Sequence, residues 1–435
     1  MFRRTQLRMR TAINRAIQRA RGMIRLPRRI EGIPVAITQP FKEHNLIKLL
    51  RHSSPDITLL REDTVIDRDP LVYPHKYFLR VHLVETVHGQ RTFKTLEVVA
   101  KVLGSIPAGN LEKRNIRIKV EKEVMIYSNV LQTFDQYQTT WIFVDHKYSD
   151  LFPVCYGSAL SLQNQDAQKA DPSAAILLQN LGPLGFQKFR EPCSYGVAKL
   201  IIKRLALLHA TPIAMYMHLG SRRLSRSQNR LTTRTNFEPR NALAELKKIC
   251  LVITPDSDMY RYIGVVDCHL QRYANNTHGD YVAEVRSWTT ISHSKCSIRN
   301  IMYKPPDHNG PAKVKFLDAG YMQFDSCASD LAFFMLTSMA SEVLEDHFDD
   351  LVSSYYIELS RLMSLAYIDL EEHTYESFLT EFENRVMCNI GAILSEIGHL
   401  HFDKNEGLQN IMGMSYRAKI DFIIRFMVRK NWIKI

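Results

Sequence analysis

The pattern of hydrophobic and polar positions divides this chain into a β-rich first part and an α-rich second part. Segments 75–87 and 93–103 are rich in β-branched and aromatic residues, and 175–179 is a short apolar run, so all three are predicted strands. Between them, 118–131 has the periodicity of an amphipathic helix. Further helices are predicted, from apolar positions three and four residues apart, at 197–209, 331–344, 348–365, 375–397 and 416–430.

The two parts meet at residues 180–183, whose sequence Asn-Leu-Gly-Pro is typical of a turn. We expect this turn to be a hinge between two lobes. The predicted fold class is therefore α+β, with a small β-rich N-terminal lobe over 31–180 and a larger α-rich C-terminal lobe over 181–435. A chain of 435 residues that is 45% hydrophobic has ample material for the core of such a protein.

Residues 1–30 form a separate, arginine-rich leader. They contain ten arginines and no lysine, aspartate or glutamate, so most of the formal net charge of +12 lies there and the remaining chain is close to neutral. Apolar residues recur between the arginines at helical steps: Met9, Ile13, Ala16, Ile17, Ala20 and Ile24. An acid-free amphipathic helix is typical of a mitochondrial transit peptide, which contacts the import machinery, although serine is scarce here. The alternatives are an arm that binds an anionic membrane surface or a partner, and a segment without a role.

Cysteine usage and hydropathy narrow the expected location of the protein. The seven cysteines are scattered and include no C-x-x-C pair, which favours a reducing, intracellular compartment. No apolar run approaches the roughly 18 residues expected of a membrane span. The expected location is mitochondrial if the leader is a targeting signal, and cytoplasmic otherwise. The near-neutral remainder of the chain argues against nucleic acid as a partner.

Segment 291–320 has the layout of a phosphotransferase catalytic centre. A predicted strand ends near His293, a polar turn then carries Asn300, and a second predicted strand delivers Asp318 into an Ala-Gly turn. In kinases an Asn amide and an Asp carboxylate from two such turns hold magnesium. The acid expected two residues after the histidine, which would accept the proton of the substrate hydroxyl, is replaced by Lys295.

A lysine and a glutamate earlier in the chain extend this pattern. Lys101 lies near the end of a predicted apolar strand, and Glu123 lies on the predicted helix that follows. A strand lysine paired with a helical glutamate positions the α- and β-phosphates in kinase folds. Each residue alone is more often a solvated surface group. Their order relative to the hinge and to Asn300 and Asp318 favours the functional interpretation.

Eight short runs occur in the order found in one family of phosphotransferases. They are VVAKVLGSIP, VEKEVMIYSNVL, FPVCYG, ILLQNLGPLGF, LALLHAT, SHSKCSIRNIMYK, VKFLDAGYMQFDSCASDL and a helix with Tyr355 and Tyr356. With them, residues 95–360 resemble the insect ecdysteroid kinase-like (CHK kinase-like) family. That family includes juvenile-hormone-inducible proteins and belongs to the choline- and aminoglycoside-kinase-like phosphotransferases. The resemblance implies a two-lobed, protein-kinase-like fold that uses ATP and Mg²⁺.

The resemblance also implies roles for the matching residues. Lys101 would contact the α- and β-phosphates of the nucleotide, and Glu123 would orient this lysine. Asn300 and Asp318 would be the magnesium ligands. The position of the catalytic base, in the turn that begins at His293, would be the degenerate part of the site.

Other matching positions would be structural, or depart from the family. Asp330 would be a buried acid that braces the catalytic turn, and His209 a packed histidine at the end of its helix rather than a catalyst. The family's H-G-D turn has Ser294 in place of the glycine and Lys295 in place of the aspartate. No glycine occurs between residues 34 and 88, so a phosphate-covering loop in this part would lack the residues that let backbone approach phosphate closely.

These departures favour a catalytically impaired pseudokinase, in which binding of nucleotide and Mg²⁺ is weak or lost. An ammonium group at Lys295 is expected to pair with Asp318 and to compete there with magnesium. The first alternative is an active ATP-dependent phosphotransferase that acts on a small alcohol such as an ecdysteroid, with another residue as the base. The second is an arginine-tethered membrane or nucleic-acid adaptor. The expected ligand is a steroid-like or choline-like small molecule, or a protein partner.

The leader is predicted to be separable from the fold, because the two-lobed pattern begins only after it. Deletion of residues 1–30 should leave the thermal midpoint nearly unchanged, as measured by differential scanning fluorimetry. The same deletion should change where a C-terminally tagged chain resides in the cell, as seen by microscopy. A truncated protein that unfolds, or that localises as the full chain does, would contradict this prediction.

Overall fold

The structure of the protein is a computed structural model that describes part of the chain. The described residues are 43–51, 57–66, 74–87, 90–105, 110–141, 147–220, 231, 262–276, 288–308, 310–400 and 414–433. The predicted leader and the glycine-free stretch before residue 43 lie outside these residues. We describe the unit that begins at Glu43.

Ten strands and nine helices are found in the described residues. The strands are β1 Ile57–Ile66, β2 His75–Val87, β3 Gln90–Val102, β4 Cys155–Ala159, β5 Ala175–Gln179, β6 Gln187–Lys188, β7 Thr289–Ser292, β8 Ile301–Lys304, β9 Lys313–Phe316 and β10 Gln323–Ser326. The helices are α1 Glu43–Leu50, α2 Asn110–Met125, α3 Leu131–Trp141, α4 Tyr195–Leu219, α5 Ile263–Asn276, α6 Cys327–Ser338, α7 Ser341–Leu365, α8 Tyr375–Leu400 and α9 Met414–Arg429. Strands concentrate in the first part and helices in the second, which confirms the predicted α+β fold.

The first lobe is built on one antiparallel sheet of five strands, in the order β1-β2-β3-β5-β4. Strands β2 and β5 have the predicted bounds. Strand β3 begins at Gln90, earlier than predicted, because it pairs with β2 along its whole length, from Val87↔Gln90 to His75↔Val102. Its first residues are exposed, and apart from Phe93 they are polar, whereas its last residues are buried. The pairing places Lys101 at the buried end of the strand.

The helix that follows the sheet is longer than predicted. It begins at Asn110 rather than near residue 118, passes through a π-helical turn at Ile126–Val130 and continues as α3 to Trp141. Its early turns are charged and carry little amphipathic signal, so their helical structure depends on packing against the rest of the protein. The π-turn buries Ile126, Tyr127 and Val130 on one side. The one extra residue that such a turn holds keeps both helical segments packed on the core.

Helix α4 is the central helix of the second lobe. Among the described residues it is the one long and apolar enough to cross a membrane, yet 72% of its most apolar window is buried inside the protein. It extends well beyond the predicted end at His209, through Pro212 to Leu219. A proline in a helix leaves the carbonyl four residues earlier without its usual donor. Here that carbonyl belongs to Leu208, and it accepts a hydrogen bond from the Tyr148 hydroxyl at 3.2 Å. This bond replaces the missing one, so the helix continues past Pro212.

The predicted helix 331–344 is two helices in the structure. Helix α6 ends at Ser338 and α7 begins at Ser341, with extended backbone at Met339 and Ala340 between them. Cys193 crosses this break: its N–H donates to the Ser338 carbonyl at 2.8 Å, and its carbonyl accepts from the Ala340 N–H at 3.3 Å. These contacts come from a distant part of the chain, so the hydrophobic periodicity of the helices carried no sign of them.

A buried lysine holds the same break from the other side. Lys419 of α9 is 5% exposed, and its ammonium donates to the Met339 carbonyl at 2.7 Å. Burial lowers the pKa of Lys419 from 10.5 to about 8, because desolvation disfavours the charged form and Glu342 offsets only part of this effect. The folded protein therefore loses this proton at a lower pH than the unfolded chain does.

We predict that Lys419 makes the protein more stable as the pH rises from 8 to 10.5. In this window the unfolded chain binds more protons at this position than the folded state, so the free energy of unfolding increases, by up to about 3 kcal/mol. Denaturant unfolding of wild type and Lys419→Met across this range should differ by this slope. Lys203→Met, which changes an exposed lysine of α4, is the control and should follow the wild type. Parallel curves for wild type and Lys419→Met would contradict the assignment.

Candidate functional site

One buried ammonium group connects the two lobes. Lys101 of β3 donates to the Glu123 carboxylate of α2 at 2.7 Å and to the Asp318 carboxylate, which follows β9, at 2.7 Å. The side chains of Lys101 and Glu123 are almost completely buried, and that of Asp318 is 33% exposed. The structure thus brings together three of the residues that the sequence singled out, from three separate elements.

The charges in this cluster stabilise one another. Burial alone would lower the pKa of Lys101, but the carboxylates of Asp318 and Glu123 outweigh it and raise this pKa above its ordinary value. Burial would likewise raise the pKa of Asp318. The charge of Lys101, followed by those of Lys119 and Lys76, instead holds it well below its usual range. Lys101 and Asp318 are therefore both charged across the physiological pH range.

The backbone around Asp318 fixes the direction of its carboxylate. The Leu317 N–H donates to the Asn300 carbonyl at 2.8 Å, which ties the end of β9 to the preceding turn. Asp318 itself has a left-handed conformation, with φ of 57°, and it precedes a 3₁₀ turn, Ala319–Tyr321. A Cβ atom added to Gly320 would lie 2.5 Å from the Lys119 carbonyl oxygen. Only glycine allows this turn to pack so closely against α2.

The turn after β7 is held by a buried carboxylate. Asp330 of α6 accepts hydrogen bonds from the backbone N–H of His293, and from that of Ser294 at 2.8 Å. The Nε2 atom of His293 lies 2.7 Å from the Leu317 carbonyl oxygen, so this histidine connects the turn after β7 with the end of β9. Ser294 has a positive φ of 61°, a conformation that glycine adopts at little cost. Ser294 thus has a glycine-like conformation at the position where the family pattern has glycine.

His209 supports this turn from within α4. It is fully buried, with Nδ1 2.7 Å from the Tyr355 hydroxyl and Nε2 3.1 Å from the Asp330 carboxylate. The prediction of a histidine at the end of its helix was wrong, because α4 continues past it. Its contacts are nevertheless those of a packed side chain that orients a buried acid.

Lys295 does not pair with Asp318, so that prediction was wrong. Its ammonium lies 3.1 Å from the Glu396 carboxylate of α8, and its side chain is only 9% exposed. Asp318 is already bound by Lys101, and the backbone of the turn directs Lys295 toward the interior of the second lobe. Burial lowers the pKa of Lys295, and the charge of Glu396 reverses only part of this effect.

Glu396 is the site residue that the sequence analysis missed. It is 1% exposed, accepts a hydrogen bond from the Ser297 hydroxyl at 2.7 Å and lies 3.8 Å from the Arg299 guanidinium. In the sequence it lies among the apolar positions of α8, close to the buried Ile393 and Ile397. An acid on the apolar face of a helix is the signal that could have identified it. Nothing in the sequence connects it to Lys295.

Both predicted magnesium ligands have partners within the protein. The side-chain amide of Asn300 donates to the Lys295 carbonyl at 3.0 Å, and Asp318 is ion-paired with Lys101. In the described part of the chain, no group of three or more His, Cys, Asp and Glu side chains could hold a metal ion. A single carboxylate surrounded by lysines fits a divalent cation poorly.

The strand lysine, the helical glutamate and the two catalytic turns define a kinase-like phosphotransferase fold. The model of the ecdysteroid kinase-like family matches residues 77–367, and the chain belongs to that family. It is also similar to two solved structures, the GDP complexes of wild-type aminoglycoside 2'-phosphotransferase-IIIa and of a mutant of it. Sequence identity is 11% and 10%, 90% of this chain and 100% or 99% of the other is covered, and the TM-score is 0.39 in both cases. No curated protein matches the chain.

We predict that the Lys295–Glu396 pair is energetically coupled. Glu396→Gln leaves a buried ammonium without its counter-charge, so it should lower the free energy of unfolding by about 3–5 kcal/mol. The double variant Lys295→Met/Glu396→Gln removes both charges and should be more stable than Glu396→Gln alone. Chemical denaturation of the single and double variants measures this coupling.

The matched control is Glu383→Gln, which changes an exposed acid on the same helix and should cost little. Purely additive effects of the two substitutions would show that Lys295 and Glu396 do not form the pair described here.

Proposed function

We propose that this protein binds nucleotide in the cleft at Lys101 and transfers phosphate to an alcohol poorly or not at all. The observation that carries the proposal is the Lys295–Glu396 ion pair at the position of the catalytic base. A protonated lysine cannot accept the hydroxyl proton of a substrate. Burial lowers the pKa of Lys295, but the charge and the hydrogen bond of Glu396 act in the opposite direction and favour the protonated form.

The size of the expected loss follows from what a general base contributes. General-base catalysis supplies about 10²–10⁴-fold, whereas positioning and electrostatic stabilisation of the phosphates supply most of the rest in phosphoryl transfer. Lys101 and the Glu123 that orients it are retained, and nucleotide binding is expected to depend on them. The cleft thus has residues for binding and lacks one for proton transfer.

The ligand that acts together with the nucleotide is proposed from the chemistry of the family. The substrate class expected for the family is a small alcohol, steroid-like or choline-like. A member of the family without transferase activity could act through a protein partner instead. The alternative function is an active phosphotransferase on such an alcohol. One observation favours it: burial lowers the pKa of Lys295, and a neutral amine would be a competent base.

Lys101→Met tests the nucleotide binding that both functions share, and the rate of phosphate transfer separates the two functions. Lys101→Met should abolish the rise in thermal midpoint that ATP causes in the wild type, since the buried ammonium is the main group expected to bind phosphate.

Phosphate transfer by the wild type from ATP to an ecdysteroid or to choline should be absent, or far slower than the roughly 1–100 per second of ordinary kinases. Mass spectrometry of the products measures this rate.

The second variant is Lys295→Asp, whose rate of phosphate transfer is compared with that of the wild type. If the proposal holds, this variant transfers phosphate at least as fast as the wild type, because it restores a carboxylate to the turn. A wild type that works at ordinary kinase rates, with Lys295→Asp slower, would overturn the proposal and identify the lysine as the base.

A further inference from the structure

The cleft around Asp318 contains more lysines than a kinase-like site requires. Lys76 of β2 lies directly opposite Lys101 of β3, and residues opposite each other on antiparallel strands point to the same face of the sheet. Like charges in this arrangement repel and are destabilising. An anion bound between Lys76 and Lys101 would therefore reduce their mutual repulsion.

A third lysine approaches from helix α2. Its backbone carbonyl is in close contact with Gly320, and the Lys119 ammonium lies 3.7 Å from the centre of the Tyr321 ring. Gly320 and Tyr321 belong to the turn that begins at Asp318. Lys119 is thus close enough to Asp318 to lower the pKa of its carboxyl group, and it is only partly exposed.

The acids of the cleft neutralise only part of the charge of these lysines. Glu123 and Asp318 both bind the ammonium of Lys101, while the carboxylate of Glu396 is engaged by Lys295 and Ser297. Lys76 and Lys119 then add two positive charges beside the position where a strand lysine of a kinase contacts phosphates. The three lysines and the two acids, Glu123 and Asp318, together carry one net positive charge. Part of the positive charge that a kinase obtains from magnesium is therefore provided here by side chains of the protein.

We propose that this cleft binds the polyphosphate group of a nucleotide without a divalent metal, with Lys76, Lys101 and Lys119 as the binding residues. This inference rests on the proposed nucleotide binding and adds how the charge is neutralised. The ammonium of Lys101 binds phosphate oxygens from the sheet, and that of Lys119 does so from helix α2, beside the Asp318 turn. Magnesium lowers the charge of free ATP, so it weakens binding to a site built from lysines.

The experiment measures the affinity of the full chain for ATP in excess EDTA and in excess Mg²⁺, by isothermal titration calorimetry at constant ionic strength. We expect binding in EDTA, at least threefold tighter than in Mg²⁺. Inorganic tripolyphosphate should bind in EDTA as well, because the lysines recognise the phosphates. In EDTA, Lys76→Met and Lys119→Met should each weaken ATP binding about tenfold, the effect of losing one charge-assisted contact. Lys203→Met, at an exposed site on α4, should leave the affinity unchanged.

The outcomes distinguish this inference from the proposed function. Binding of ATP in Mg²⁺ but not in EDTA overturns the metal-free site and leaves the proposed nucleotide binding intact. Binding in neither condition overturns both. Binding in EDTA that Lys76→Met and Lys119→Met do not weaken, while Lys101→Met abolishes it, shows that Lys101 alone carries the contact and overturns the lysine cluster.

Discussion

The ammonium group of Lys101 is the interaction on which the arrangement of the cleft depends. A buried charge in a protein interior is tolerated only when opposite charges and hydrogen bonds compensate for its lost hydration. Lys101 meets this condition with the carboxylates of Glu123 and Asp318, each at 2.7 Å. One charge thus ties together β3, α2 and the turn after β9, and the two lobes meet around it.

The ion pair between Lys295 and Glu396 is the second buried pair of the site. The Asp318 carboxylate is bound by Lys101 at 2.7 Å, and Lys295 has a different partner. Lys295 is paired with Glu396, a residue of α8 that also accepts a hydrogen bond from Ser297. The backbone of the turn after β7 is held by Asp330, as the resemblance implied. The site is a kinase-like framework whose charges are distributed differently.

Local patterns predicted the elements well, and contacts distant in the sequence explain what was missed. The strands β2 and β5 and the pairing of Lys101 with Glu123 were predicted from spacing and from a resemblance. The break between α6 and α7 depends on Cys193, and the ion pair of Lys295 depends on Glu396, which periodicity along one segment cannot reveal. The expected pairing of Lys295 with Asp318 assumed that the nearest turn would supply the acid. Asp318 is instead paired with Lys101, which was itself one of the predicted site residues.

The most direct test of this account is a crystal structure of the protein with a non-hydrolysable ATP analogue and Mg²⁺ present in the crystals. The account predicts that the phosphates contact Lys101 and Lys119, that Lys295 remains paired with Glu396, and that no magnesium lies between Asn300 and Asp318. A magnesium ion coordinated by Asn300 and Asp318, with Lys295 turned toward the γ-phosphate, would contradict it.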